Sequence, residues 1–311
     1  MDKKIAFLFP GQGSQFVGMG KELNDNFQVC KEVYEKADAA LGYSISDICF
    51  NGPQDKLDNT EYTQPAMLAT SVATLKLLQK EGIKPTVAAG LSLGEYSALV
   101  CSGMLDFEEG VKLIQKRGQF MQQAVPSGIG GMAAVIGLNQ HQIKEVCNEA
   151  SIFGVVESAN FNCPGQIVIA GEIEALKKAC EIAKNHGALK AIMLNVSGPF
   201  HSSMLKEAAE NLKKELENVQ FIDSEINVIT NVTGDYLDKA AVREILKKQV
   251  KSPVKWEQSI NKMLEDGINT FVEIGPGKTL SGFIKKINRR ARTYNIQDLK
   301  SLEKALNGLT K

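Results

Sequence analysis

Short apolar runs alternate with helical periods along most of the 311 residues, and this alternation restricts the chain to an α/β architecture around a parallel sheet. One stretch breaks the rhythm. From 127 to 196 the order reads strand (GGMAAVIG), helix (HQIKEVCNEA), strand (VVESANF), strand (QIVIAGE), helix (IEALKKACEIAKNHG), strand (LKAIMLNV). That β-α-β-β-α-β order is the split, ferredoxin-like arrangement, and about 70 residues suffice to close it as a small layer of its own. Breakers border it, Pro126-Ser127-Gly128 before and Ser197-Gly198-Pro199 after. The expectation is therefore a large α/β domain of residues 1–126 and 197–311 interrupted by a small subdomain of residues 127–196.

With 43% hydrophobic and 23% charged residues, the chain can fill a full core. Its 36 basic residues balance its 36 acidic ones, which gives no overall electrostatic case for nucleic acid or a membrane surface. The six cysteines form no CxxC pair and sit in apolar or helical stretches, so they read as reduced core residues of a cytoplasmic protein, with neither a disulfide framework nor a metal site. IAFLFP near the start is too short for the apolar part of a signal peptide, and no run approaches a membrane span.

Chemistry concentrates in VAAGLSLGEYSAL, residues 87–99. Val87 to Ala89 extend a buried strand, and Glu95 to Val100 begin a helix. Gly90, Ser92 and Gly94 at the turn between them fit GxSxG, a strained elbow that lifts a serine hydroxyl clear of the backbone. A glycine-rich turn without chemistry would read the same, so the serine needs a base. Of the three histidines, His141 opens an amphipathic helix among polar neighbours and His186 closes another at its negative pole. His201 differs, because it lies in VSGPFHSS where the chain leaves the small subdomain and starts a helix near Ser202. It is the candidate general base, brought to Ser92 across the cleft between the two parts. No acid stands out as a third member, and a carbonyl would have to orient the imidazole instead.

The first strand, KKIAFLF, runs into PGQGSQ before a helix expected near Val17. A phosphate loop of GxGxxG type would need glycine where Phe16 stands, so this turn suits an oxyanion better, with the backbone amides of Gln12 and Leu93 as the donor pair. Arg117 is the other anomaly. On the wheel of EEGVKLIQKRGQFMQQAV it falls about 160° from the centre of the polar arc, between Leu113 and Met121. A guanidinium on an apolar face needs a partner, either a protein carboxylate or the free carboxylate of a ligand, and the second favours a dicarboxylic acyl group.

With these residues assembled, the chain resembles the malonyl-CoA:acyl-carrier-protein transacylases of type II fatty acid synthesis. The resemblance runs through FLFPGQGSQ, AGLSLGEYSALVCSG, KRGQFMQQAVP, SANFNCPGQIVIAG, VSGPFHSSMLK, QVKSPVKW and EIGPGKTLSGFIKKI. It implies a hydrolase-like core with a ferredoxin-like subdomain and no cofactor. It further implies Ser92 as acyl-accepting nucleophile, His201 as base, Arg117 as clamp for the malonyl carboxylate, the Gln12 and Leu93 amides as oxyanion hole, and the Gln249 main-chain carbonyl orienting His201. Asn160, Asn162 and Phe200 fall on substrate-binding positions. Leu91 stands where the family usually has histidine, which implies altered contacts or acyl selectivity and not loss of chemistry. The partners implied are malonyl-CoA and an acidic acyl carrier protein, for which Lys285, Lys286, Arg289, Arg290 and Arg292, or else Lys247, Lys248 and Lys251, offer a basic docking patch. An acyltransferase of a polyketide pathway and a serine thioesterase share these features.

Overall fold

Five parallel strands run through the centre of the molecule in the order β7-β2-β1-β8-β9, with β1 at Ile5–Phe9, β2 at Val87–Gly90, β7 at Asn227–Ile229, β8 at Thr270–Ile274 and β9 at Arg292–Ile296. The computed structural model describes residues 4–126 and 128–309. Ser127 and Lys3, which the sequence places at the border of the inserted stretch and in the first strand, lie outside the described residues. All five residues of β1 and all four of β2 are buried, as expected of strands covered on both faces by helices. The helix Thr60–Lys80 is buried around most of its circumference and packs against the helix Phe107–Gln123. Asp106 caps the latter by accepting from the Glu108 and Glu109 amides.

The second sheet is antiparallel, in the order β4-β5-β3-β6, with β3 at Gly130–Ile136, β4 at Val156–Cys163, β5 at Gln166–Glu172 and β6 at Lys190–Met193. Alternation gives it two uses. Ala133, Val135, Ile167 and Ile169 pack with residues of the helices Gln140–Ala150 and Ile173–Asn185, whereas Met132, Ala134 and Val168 turn the other way and line a cavity. Backbone bonds from Phe161 to Val254 and from Val254 to Ala159 fasten β4 to the chain that follows the helix Val242–Gln249.

One expectation is corrected. The first helix begins at Lys21 and not near Val17, because Gly18 and Gly20 hold φ of 99° and 75° and turn the chain before a helix can start. No helix among the described residues is long and apolar enough to cross a membrane, and all six cysteines are free and buried.

In this strand order the chain moves from β1 outward to β2 and β7 and then returns to β8 on the other side of β1. The crevice beyond the carboxyl ends of such strands is where an open parallel sheet presents its loops to a ligand. Gln12, Ser92 and Asn231 follow the carboxyl ends of β1, β2 and β7.

Candidate active site

Ser92 occupies the turn between β2 and the helix Gly94–Ser102 with φ of 54°, and His201 has φ of 60°; they are the only non-glycine residues with positive φ among those described. Strain of this kind persists where the surroundings over-determine it. At the elbow the cause is visible. A Cβ on Gly90 would lie 1.9 Å from Gly94 backbone atoms, and one on Gly94 would lie 2.2 Å from the Phe9 carbonyl oxygen. Asn231 then clamps the turn from the next strand: its Oδ1 accepts the Ser92 amide at 2.6 Å while its Nδ2 donates to the Gly90 carbonyl at 2.7 Å.

The His201 imidazole is buried and bridges two partners. Nε2 lies 2.7 Å from Ser92 Oγ, and Nδ1 lies 2.9 Å from the Gln249 carbonyl oxygen. A carbonyl only accepts, so Nδ1 carries the proton and Nε2 is the acceptor for the serine hydroxyl. Gln249 is the last residue of its helix, where carbonyls lack intrahelical donors, and among the described residues its carbonyl accepts, besides His201, only a long 3.4 Å bond from Ser252. Burial, and secondly the Arg117 charge, lower the His201 pKa to about 4, which leaves the imidazole neutral and able to take a proton near pH 7.

Arg117 is fully buried, as its place on the apolar face of its helix requires of a residue with partners. Those partners are amides and a hydroxyl. Nη1 donates to Gln64 Oε1 at 2.7 Å, Nη2 donates to Gln249 Oε1 at 3.0 Å and to Ser92 Oγ at 3.1 Å, and Nε has no acceptor among the described residues. The guanidinium also sits 5.5 Å over the Tyr96 ring. Among the described residues it forms no ion pair with Asp or Glu, so the protein-carboxylate alternative left open by the sequence is not the one realised. Burial lowers its pKa.

These groups border a cavity of about 250 Å³ between the two sheets, lined among others by Gln12, Gln64, Leu91, Ser92, Leu93 and His201. Phe200, Asn160 and Asn162 line it as well, the two asparagines from β4, and Asn162 Oδ1 is buried without a partner among the described residues. Arg117 stays behind the wall and reaches it through Ser92 and Gln64. The Gln12 and Leu93 amides donate to no acceptor among the described residues, which leaves both available as donors. Leu91 adds an apolar wall beside Gly11, where a Cβ would lie 3.0 Å from its Cδ2. A neutral base on a hydroxyl, a neighbouring cation and two free amides together equip the site for acyl transfer through an ester.

Three members of this cluster escaped sequence reasoning: Gln64, Asn231, and Glu95, whose Oε2 accepts from the Asn231 amide at 2.9 Å and from Gln249 Nε2 at 2.8 Å. Asn and Gln carry no charge to mark them, and an acid in the first turn of a helix normally signals a solvated face. The other two histidines lie elsewhere, with His141 near Glu145 and His186 Nε2 2.8 Å from Glu149.

The helix Thr279–Ile287 contributes Thr279, Leu280 and Phe283 to the cavity and carries Lys285 and Lys286 on its exposed side. Lys286 donates to Gln166, another lining residue. Arg289, Arg290 and Arg292 follow, all exposed, and none of these five cations joins an ion pair among the described residues. In the alternative cluster Lys247 and Lys248 lie 3.0 and 3.7 Å from Glu210 and Glu244, which offset their charge.

The acyl transferase domain family matches residues 6–303. The chain belongs to this family. Among acyl transferases it is 48% identical over 308 residues to the malonyl CoA-acyl carrier protein transacylase of Bacillus subtilis, an alignment spanning 98% of this chain and 97% of that one. The crystal structure of the malonyl CoA-acyl carrier protein transacylase of Clostridium perfringens superposes with a TM-score of 0.96 at 51% identity, covering 99% of this chain and 97% of that one. A malonyl-transacylase in complex with its type II PKS acyl-carrier protein superposes with a TM-score of 0.96 at 40% identity, over 98% of this chain and all of that one (100%).

Proposed function

We propose that this acyl transferase moves a malonyl group from malonyl-CoA to the phosphopantetheine thiol of acyl carrier protein, in fatty acid biosynthesis. The observation that carries the reading is the buried Arg117 guanidinium, which pairs with no Asp or Glu among the described residues and contacts Ser92 Oγ. A cation placed there recognises an acyl group that ends in a carboxylate. Relatives named as malonyl CoA-acyl carrier protein transacylases support the same donor and acceptor.

Ser92 Oγ attacks the thioester carbonyl while His201 Nε2 takes its proton, and the Gln249 carbonyl holds the imidazole by Nδ1–H. The carbonyl oxygen becomes an oxyanion facing the Gln12 and Leu93 amides. As the tetrahedral intermediate collapses, the C–S bond breaks and His201 returns the proton to the CoA sulfur. The malonyl carboxylate takes over the Arg117 Nη2 donor that Ser92 Oγ held. The carrier thiol then gives its proton to His201 and attacks the ester; the bond from Ser92 Oγ to the acyl carbon breaks, His201 returns the proton to Oγ, and the carrier leaves with the malonyl group. Asn160 and Asn162 contact the substrate from β4 and Phe200 from the turn that follows β6, and Leu91 bounds the acyl pocket with a side chain that offers no hydrogen bond.

The architecture fits a hydrolase-like core of residues 1–126 and 197–311 with a ferredoxin-like subdomain of residues 127–196. The β4-β5-β3-β6 order supports that division. The carrier docks on Lys285, Lys286, Arg289, Arg290 and Arg292, next to the cavity and less neutralised than the cluster at Lys247, Lys248 and Lys251. The test is transfer itself. Radiolabelled malonyl-CoA with holo carrier protein should label the carrier many times faster than it yields free malonate. Malonate release at the same rate with and without carrier would make the protein a thioesterase.

A further inference from the structure

Glu95 lies one helical turn beyond Ser92 and is 1% exposed, yet it is not among the residues that line the cavity beside Ser92 and makes no hydrogen bond to Ser92 Oγ or to His201. Its Oε2 accepts two bonds, from the Asn231 backbone N–H at 2.9 Å and from Gln249 Nε2 at 2.8 Å. A buried carboxylate is costly, and burial pushes Glu95 up to about 7 against the pull of its two donors and of Arg117. Nothing in the acyl-transfer steps uses it.

The Gln249 amide explains why an acceptor belongs there. It has two N–H groups, one directed to Glu95 Oε2 and the other to the Ser92 carbonyl at 3.0 Å. With both donors engaged by acceptors, the amide oxygen must face Arg117 Nη2, at 3.0 Å. The reverse orientation would set an NH₂ against a guanidinium, donor against donor, and would leave a buried carboxylate facing a carbonyl oxygen. The same residue supports His201 through its backbone carbonyl.

We propose that Glu95 is a positioning residue that fixes the orientation of the Gln249 amide, and thereby sets the place of Arg117 for the carboxylate of the acyl group. This rests on the malonyl-transfer reading above. Glu95 acts through Gln249 and touches no substrate.

The test is competition. Enzyme is exposed briefly to equal malonyl-CoA and acetyl-CoA, and the two ester masses are compared within one sample, which makes the ratio independent of how much protein is folded. The wild type should load mainly malonyl. Glu95→Ala should lower the malonyl-to-acetyl ratio by about 10-fold or more, the scale of losing a buried hydrogen bond to a charged group. Glu95→Gln, whose amide oxygen can occupy the Oε2 position and take both bonds, should restore the ratio to within about threefold of wild type. If Glu95→Ala does not fold, Glu95→Asp, too short to reach both donors, should show the loss. A wild-type ratio in the foldable member of the Ala and Asp pair overturns the proposal, and so does a Gln variant as impaired as Ala. A wild-type enzyme that loads both groups equally would instead overturn malonyl selectivity itself.

Discussion

Arg117 Nη2 donates to Ser92 Oγ across 3.1 Å, so the oxygen that faces His201 Nε2 at 2.7 Å is polarised from a second direction by a buried cation. In the proposed mechanism the guanidinium has two tasks: it lowers the energy of the oxygen as its proton leaves, and it takes the substrate carboxylate once the oxygen is esterified.

Arg117→Ala should therefore reduce malonyl loading by about 10²-fold or more and acetyl loading by only about 10-fold, since acetyl loses the polarising contact alone. Single-turnover loading rates with the two thioesters measure this. Equal losses would confine Arg117 to a structural role.

Asn231 holds both sides of the elbow, and Asn231→Ala leaves the buried Gly90 carbonyl and the Ser92 amide without their partners. The expected cost is about 1 to 3 kcal/mol of stability. Release of the φ of 54° at Ser92 should slow loading as well. Urea unfolding paired with loading rates checks both, and a variant that unfolds like wild type would show that the clamp is dispensable.

Two buried groups oppose each other in their response to pH. Burial and the Arg117 charge hold His201 down from 6.5 to about 4, so the unfolded state binds the extra proton in that window and the His201 contribution to stability falls as pH drops through it. Burial pushes Glu95 from 4.5 to about 7, so the folded state binds the extra proton there and the Glu95 contribution falls as pH rises. Each effect amounts to about 3 kcal/mol at full extent, and between pH 4.5 and 6.5 they offset one another. Glu95→Gln removes one of them. Relative to wild type, the variant should lose about 2 to 3 kcal/mol on going from pH 6.5 to 4.5. A constant difference in denaturation free energy across that range would contradict the assignment.

Reversing the charge of Arg289 and Arg290 should raise the KM for carrier protein at low ionic strength by about 10-fold and leave loading from malonyl-CoA unchanged. Added salt should shrink the difference. Unchanged transfer at low salt would move the docking surface elsewhere.

Local signals made the catalytic neighbourhood readable in the sequence. The elbow announces itself because Gly90, Ser92 and Gly94 lie within five residues on a strand-turn-helix, and Arg117 because a cation breaks the apolar side of a helix. The antiparallel unit was visible in its order of elements, with β6 shorter than the apolar run LKAIMLNV suggests. The supporting amides were not readable. Asn231 meets Ser92 from 139 residues away and Gln249 meets Arg117 from 132, and no periodicity encodes such contacts. The sequence resemblance pointed to the Gln249 carbonyl, while its side chain, which joins Arg117, Glu95 and the Ser92 carbonyl, became visible only in the packed core.

The central claim is a serine ester that outlasts its formation. Intact-mass measurement after seconds of exposure to malonyl-CoA, without carrier, tests it most directly. Wild-type protein should gain the mass of one malonyl group and lose it when carrier thiol is added, and Ser92→Ala should gain nothing. CoA released steadily with no adduct on the wild type, or an adduct that persists in Ser92→Ala, would contradict the account.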